Sequence, residues 1–202
     1  MKQKDRTAVV EHFEGLMNEH GASFKALGFG RRESQLRRFE VLVQVDDIRG
    51  ASVLDVNCGL ADFCDFLEAN NFGVDYRGIE VVPAFVKHIR KSRPGVKVEA
   101  GDFLNESFGG EWDYVLASGI FYREVSDSWE LMCRSIAKMF RLCRKAAAFN
   151  SLSAYADENE PGEFLASPEK TFAFCKTLTP FVTLRHDYMP HDFTIYMYKD
   201  HR

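Results

Sequence analysis

The 202-residue chain holds no C-x-x-C pair, no H-x-x-x-H and no H-E-x-x-H. Its five cysteines, Cys58, Cys64, Cys133, Cys143 and Cys175, are odd in number and scattered. A disulfide framework and a zinc site therefore find no support, and a reducing, cytoplasmic setting is expected. The acidic pairs Asp46-Asp47 and Glu158/Glu160 stand in cap and loop contexts, so no metal site is expected either. No run approaches the roughly 18 apolar residues of a membrane span. The opening Met1 to Arg6 is charged and leads into an amphipathic segment, not an apolar signal core. Positive charge is also short: the net charge of −4 counts against nucleic acid as the main partner. One local basic group, Arg31, Arg32, Arg37 and Arg38, is interrupted by Glu33 and Glu40, as on a solvated helix face. What remains is 46% hydrophobic and 28% charged, the balance of a globular protein of one-domain size.

The chain is organised around Ser52-Val53-Leu54-Asp55-Val56-Asn57-Cys58-Gly59-Leu60-Ala61-Asp62-Phe63. Ala51 to Val56 is small and β-branched and reads as a buried parallel strand. Asn57, Gly59 and Ala61 give a tight turn of small residues. Phe63, Phe66 and Leu67 then follow at i, i+3 and i+4, a helix face. Strand, glycine turn and helix together present backbone N–H groups and a positive helix terminus to a nucleotide-type ligand. Asp55 ends the strand, where a carboxylate reaches a ligand amine or hydroxyl. A dinucleotide fingerprint wants G-x-G-x-x-G. Here those positions hold Asn57, Gly59 and Asp62, and the Asp puts charge where pyrophosphate would sit.

Periodicity lays out the rest. Helices are expected over 7–20 and about 32–48, joined by a loop from Gly21 to Gly30. After the helix at about 61–71, Val74 to Glu80 reads as a second strand. Glu80 lies 21 residues past Gly59, close to the spacing at which an acid takes ribose hydroxyls. A carboxylate can accept from both members of a vicinal diol. Pro83 opens a helix. A third strand covers Val96 to Ala100, followed by Gly101-Asp102-Phe103. A fourth, Trp112 to Gly119, ends in Ser118 and Gly119 beside the first turn, the switch point where open α/β sheets bind ligands. A helix spans about 127–143 and a short strand Ala146 to Phe149. Asn150 to Ser167 reads as a long loop, and such loops are often functional. Two strands, about 181–187 and 192–199, close the chain as a hairpin, leaving one antiparallel strand at the sheet edge.

The central stretch resembles motif I of the class I S-adenosylmethionine (SAM) methyltransferases, V-L-D-x-G-x-G-x-G. Val53-Leu54-Asp55 and Gly59 match, while Asn57 and Ala61 replace the outer glycines. Trp112-Asp113-Tyr114-Val115 matches the family's motif IV. The resemblance covers about residues 51–199. It implies an α/β fold: a doubly wound seven-stranded sheet, mostly parallel with an antiparallel last strand, and helices on both faces. Residues 1–50 would supply two lid helices of the same domain, and 51–202 the SAM-binding core. The implied cofactor contacts are Asp55, Asn57, Cys58, Gly59, Ala61, Glu80, Val81, Ser118 and Gly119. Gln35 is added from the lid, where Ser34 and Arg38 are the other polar candidates. Asp102 is assigned to the adenine amine, with Phe103 packing near the ring.

The implied reaction is attack of an acceptor on the methyl of SAM, leaving S-adenosylhomocysteine. A general base helps where the acceptor is protonated. His186 and Tyr188 are the catalytic candidates, placed by alternation on one face of a strand, ahead of Tyr122, Asn150 and His191. The N-P-P-[YF] signature of base and glutamine amino methylation is absent; Ser118-Gly119-Ile120-Phe121 stands there. A small-molecule acceptor is expected, with the protein a monomer or homodimer. Two alternatives stay open: a nucleotide- or NAD-binding Rossmann-type enzyme, and a SAM-binding regulator without catalysis.

Overall fold

The computed structural model describes residues 1–201. Seven strands form one sheet in the order β3-β2-β1-β4-β5-β7-β6. These are β1 (Ser52–Val56), β2 (Asp75–Glu80), β3 (Val98–Ala100), β4 (Trp112–Ala117), β5 (Cys143–Leu152), β6 (Val182–Met189) and β7 (Asp192–Tyr198). β1 pairs parallel with both β2 and β4, and β4 parallel with β5. β7 is antiparallel to both neighbours. The last strand is thus antiparallel as expected, but it lies inside the sheet, and β6 takes the edge. Seating β7 between β5 and β6 lets all seven of its buried residues pair with β5 and five of them with β6 as well.

Because side chains alternate across a strand, each inner strand feeds two cores. Val53, Tyr114, Leu116, Ala146 and Ala148 face the layer of α2 (Arg32–Leu42) and α3 (Asp62–Ala69). Leu54, Val56, Val115, Ala147 and Phe149 face the layer of α5 (Ser128–Leu142) and α6 (Pro168–Leu178). A third, smaller cluster joins Leu60, Val82 and Phe85 of α4 (Pro83–Ser92) to Val10, Phe13 and Met17 of α1 (Gln3–His20). So α1 lies against the carboxyl edge of the sheet. Asp113 of the motif IV match sits at the other end, where it accepts from the Ser52 N–H at 3.0 Å and from the Ser52 hydroxyl at 3.0 Å.

Three local expectations are corrected. The segment Gly21 to Gly30 is not all loop: Phe24–Leu27 forms a 3-10 turn with Ala26 fully buried. α2 stops at Leu42 and tightens into a second such turn, Val43–Val45. β5 runs to Leu152, because its antiparallel pairing with β7 continues through Asn150↔Thr194 to Leu152↔Asp192. The long loop therefore starts at Ser153, which bridges to Ala166.

Candidate active site

β1, β2 and β4 end together, and the turn after β1 shapes the floor. Asn57 (φ 53°), Gly59 (φ 58°) and Ala61 (φ 61°) all adopt the left-handed conformation. The backbone that glycines would favour is thus kept by Asn and Ala as well. Glu80, 3% exposed at the end of β2, grips this turn. Its Oε2 accepts from the Gly59 N–H at 2.7 Å and its Oε1 from the Val82 N–H at 2.8 Å. Burial pushes its carboxyl up to about 7, with the N–H groups of Val82 and Gly59 opposing. Asp55, 2% exposed, accepts from the Tyr76 hydroxyl at 2.7 Å. Burial pushes it to about 7 too; the Tyr76 bond opposes this and the charge of Glu80 adds to it.

A cleft with about 880 Å³ of free space, partly open to solvent, stands over the turn. Asp55, Asn57, Cys58, Gly59, Glu80, Val81, Ser118, Gly119 and Gln35 all line it. Asp102 and Phe103 line a smaller pocket that shares Asn57, Val81 and Ile120 with the cleft. Asp102 also caps its own turn, its Oδ1 accepting from the Leu104 N–H and its Oδ2 from the Asn105 amide, each at 2.9 Å. Asn150, fully buried on β5, accepts from the Gly119 N–H at 2.7 Å and so sets the turn after β4.

The roof comes from residues 24–30. A Cβ on Gly59 would meet Leu27 Cδ2 at 2.7 Å, and one on Gly119 would meet Phe29 Cζ at 3.3 Å. Each apolar side chain is thus seated on a glycine. The Tyr122 hydroxyl packs against Gly28; it is buried and has no hydrogen-bond partner among the described residues. From α2, Gln35 donates to Asp62 Oδ2 at 3.0 Å, and Arg32 donates both to Asp62 Oδ2 (2.8 Å) and to the Gln35 side-chain Oε1. Asp62 lines the cleft at the start of α3. Leu27, Phe29, Gly119 and Tyr122 also line a second, more open cavity on the far side of this wall.

No family model matches the chain. Its fold matches that of magnesium protoporphyrin IX methyltransferase from Synechocystis PCC 6803, solved with bound SAM, at TM-score 0.71 and 12% identity, covering 97% of each chain. A DhpI–SAM–HEP complex matches at TM-score 0.72 and 13% identity over 97% of this chain and 98% of that one. In sequence the chain is 30% identical over 155 residues to "Putative methyltransferase Rv1506c" of Mycobacterium tuberculosis, covering 73% of this chain and 93% of that protein. The chain belongs to the class I SAM-dependent methyltransferase family.

Within this methyltransferase, Ala61, His186 and Tyr188, all singled out from sequence, line neither the cleft nor the smaller pocket beside it. Ala61 is fully buried under α3 and shapes the turn from behind. His186 and Tyr188 line neither cavity, and they do not share a face. Arg185 pairs with Thr194 but Met189 pairs with Asp192, a two-residue slip in β6. Alternation fails across such a bulge. His186 rests against Phe193 on one side of the sheet, 6.4 Å between ring centroids, while Tyr188 packs with the cluster on the other. The Tyr188 hydroxyl is spent on Asp192 (2.5 Å) and Thr194 (2.8 Å). Sequence reading passed over Phe13, Leu27, Phe29, Phe39 and Phe85, which form the apolar lining. The Gly28-Phe29-Gly30 run was the available signal.

Proposed function

We propose that this chain transfers a methyl group from SAM to a small-molecule acceptor and works in the cytoplasm as an EC 2.1.1-type enzyme. The observation that carries the reading is the buried Glu80 carboxylate, held by the Gly59 and Val82 N–H groups at the mouth of a glycine turn. Each carboxylate oxygen keeps a lone pair beyond the one its N–H partner uses, so a ribose diol can donate to it. The fit extends to the turn: the left-handed Gly59 carries no Cβ, which lets Leu27 close down over it as a roof. Asp102 and Phe103 suit an adenine amine and ring, and Asp55 suits an ammonium. Gln35 and the Asn57 to Gly59 backbone complete the holding set.

When bound, SAM supplies an electrophilic methyl: an acceptor lone pair bonds to its carbon, the C–S bond breaks, and the pair stays on sulfur. This chain's own residues position and exclude water. Leu27, Phe29 and Phe13 form an apolar roof, which lowers the local dielectric and strengthens electrostatic contacts beneath it. Asp62 places a carboxylate at the start of α3, which disfavours the pyrophosphate of NAD. The second cavity behind Gly119 and Tyr122 gives an acceptor somewhere to sit, which favours an enzyme over a SAM-binding regulator.

Calorimetric titration with SAM, S-adenosylhomocysteine and NAD, with Glu80→Ala in parallel, tests this. Micromolar binding of the two sulfur ligands, lost in the variant and absent for NAD, is expected. No binding of either sulfur ligand would overturn the reading.

A further inference from the structure

We infer that the second cavity is the acceptor subsite and that it takes a carboxylate-bearing molecule, gripped by Arg31 just ahead of α2 and by Ser34 and Arg38 on its face. This rests on the methyl-transfer reading above and adds the acceptor's chemistry.

The cavity adjoins the donor cleft, with Leu27, Phe29, Gly119 and Tyr122 as the shared wall. At Gly119 the Phe29 ring packs where a Cβ would stand and closes the wall between the two spaces, so that ring turns aside for an acceptor to reach the cleft. The helix α2 stands between the two spaces and shows each a different face. Gln35 and Phe39 line the cleft, while Arg31, Ser34 and Arg38 line the second cavity. Ser34 and Arg38, four apart, share one stripe of the helix, and Arg31, the extended residue just before its first turn, lines the same cavity.

The charge on these residues is only partly used. Arg38, 6% exposed, spends Nε (2.7 Å) and Nη2 (2.6 Å) on a single oxygen of Asp192. Its Nη1 makes no hydrogen bond or ion pair among the described residues, and the side chain is part of the cavity wall. Arg31, at the exposed rim, has no ion pair or hydrogen bond of its own among the described residues. Of the cavity's two acids, Asp192 is paired with Arg38 and Tyr188, and Glu163 accepts from the Glu160 N–H at 2.8 Å. His191 also lines the wall and adds no negative charge. The charged donors on this wall are the guanidinium N–H groups of Arg31 and Arg38, beside the neutral hydroxyls of Ser34 and Tyr122, and a guanidinium fork matches a carboxylate better than a neutral group does. Phe29, Leu27, Leu152 and the Tyr122 ring supply an apolar bed for the acceptor's body.

The test uses full-length protein saturated with S-adenosylhomocysteine. Calorimetry then compares 3-hydroxybenzoate, 4-hydroxybenzoate and 3-hydroxypropanoate, each with its primary amide. At least one acid is expected to bind about tenfold or more tightly than its amide, the scale of a charge-assisted hydrogen bond. Arg31→Ala, at an exposed position, should weaken that acid about tenfold and leave both its amide and S-adenosylhomocysteine unchanged. Arg38→Lys keeps a cation beside Asp192 but removes the spare N–H, and should weaken the acid as well. Parity of acid and amide, no binding of any acid, or an acid whose affinity ignores Arg31→Ala would each overturn the inference while the donor reading stands. Failure of S-adenosylhomocysteine itself to bind would overturn the donor reading, and this one with it.

Discussion

Asn57 carries a left-handed backbone without being glycine, which makes it a sensitive point for mutation. Asn reaches this conformation by bonding locally with its short polar side chain, whereas a β-branched side chain is strained there. Asn57→Val should therefore cost about 1–3 kcal/mol of stability in a urea melt. It should also weaken S-adenosylhomocysteine binding measurably in calorimetry. Asn57→Gly should leave that binding within about twofold, since glycine adopts the same conformation freely. Equal losses in both variants would show that the Asn side chain, and not the backbone it permits, is what matters. At this scale much was legible. The spacing of Glu80 from Gly59 follows from the short βαβ path, and the structure joins the two by a hydrogen bond. The orphaned Tyr122 hydroxyl was not legible. Its isolation depends on Gly28 packing against it, a contact between segments that no local pattern links.

Elements show the same division. Helix positions followed from period, because burying one stripe is what holds a helix to a sheet. The length of β5 did not, because a strand's end is decided by its partner, here β7. The slip in β6 was equally hidden: no residue in Arg185 to Met189 announces a bulge. It removes His186 and Tyr188 from a shared face and with that the sequence-based case for a base there. Tyr188 instead supports the contact between α2 and β7. Arg38 and Asp192 form a buried pair, with Asp192 1% exposed and its second oxygen on the Tyr188 hydroxyl. Removing one partner strands the other charge. Arg38→Ala should thus cost about 3–5 kcal/mol. Tyr188→Phe, which leaves the pair intact, should cost only about 1 kcal/mol. Urea melts of the two variants decide this. A small loss for Arg38→Ala would mean that water reaches Asp192 and that the pair contributes little.

For the molecule as a whole, the two acids under the cleft couple folding, ligand and pH. In the folded chain Asp55 and Glu80 are each raised to about 7, chiefly by burial. In the unfolded chain both titrate near pH 4. Between about pH 4 and 7 the folded state therefore holds protons that the unfolded state has released. Stability falls as pH rises through that window and levels off above it. Other groups add their own slopes, so the informative quantity is the difference between wild type and Glu80→Gln. Wild type should lose more stability than the variant between pH 5.5 and 7.5 in urea melts. No difference would mean that Glu80 is already ionised at pH 5.5. Ligand binding carries the opposite sign. A diol that donates to Glu80 favours the carboxylate, so S-adenosylhomocysteine should bind more tightly at pH 7.5 than at 5.5, with proton release on binding near neutrality. At one hundred times its Kd the ligand stabilises the fold by about 2.7 kcal/mol. For a chain of this size that raises Tm by roughly 5–10 °C. The rise at a fixed ligand concentration should shrink in wild type as pH is lowered from 7.5 to 5.5 and stay level in Glu80→Gln. A wild-type rise that did not change with pH would place the ligand's hydroxyls away from Glu80.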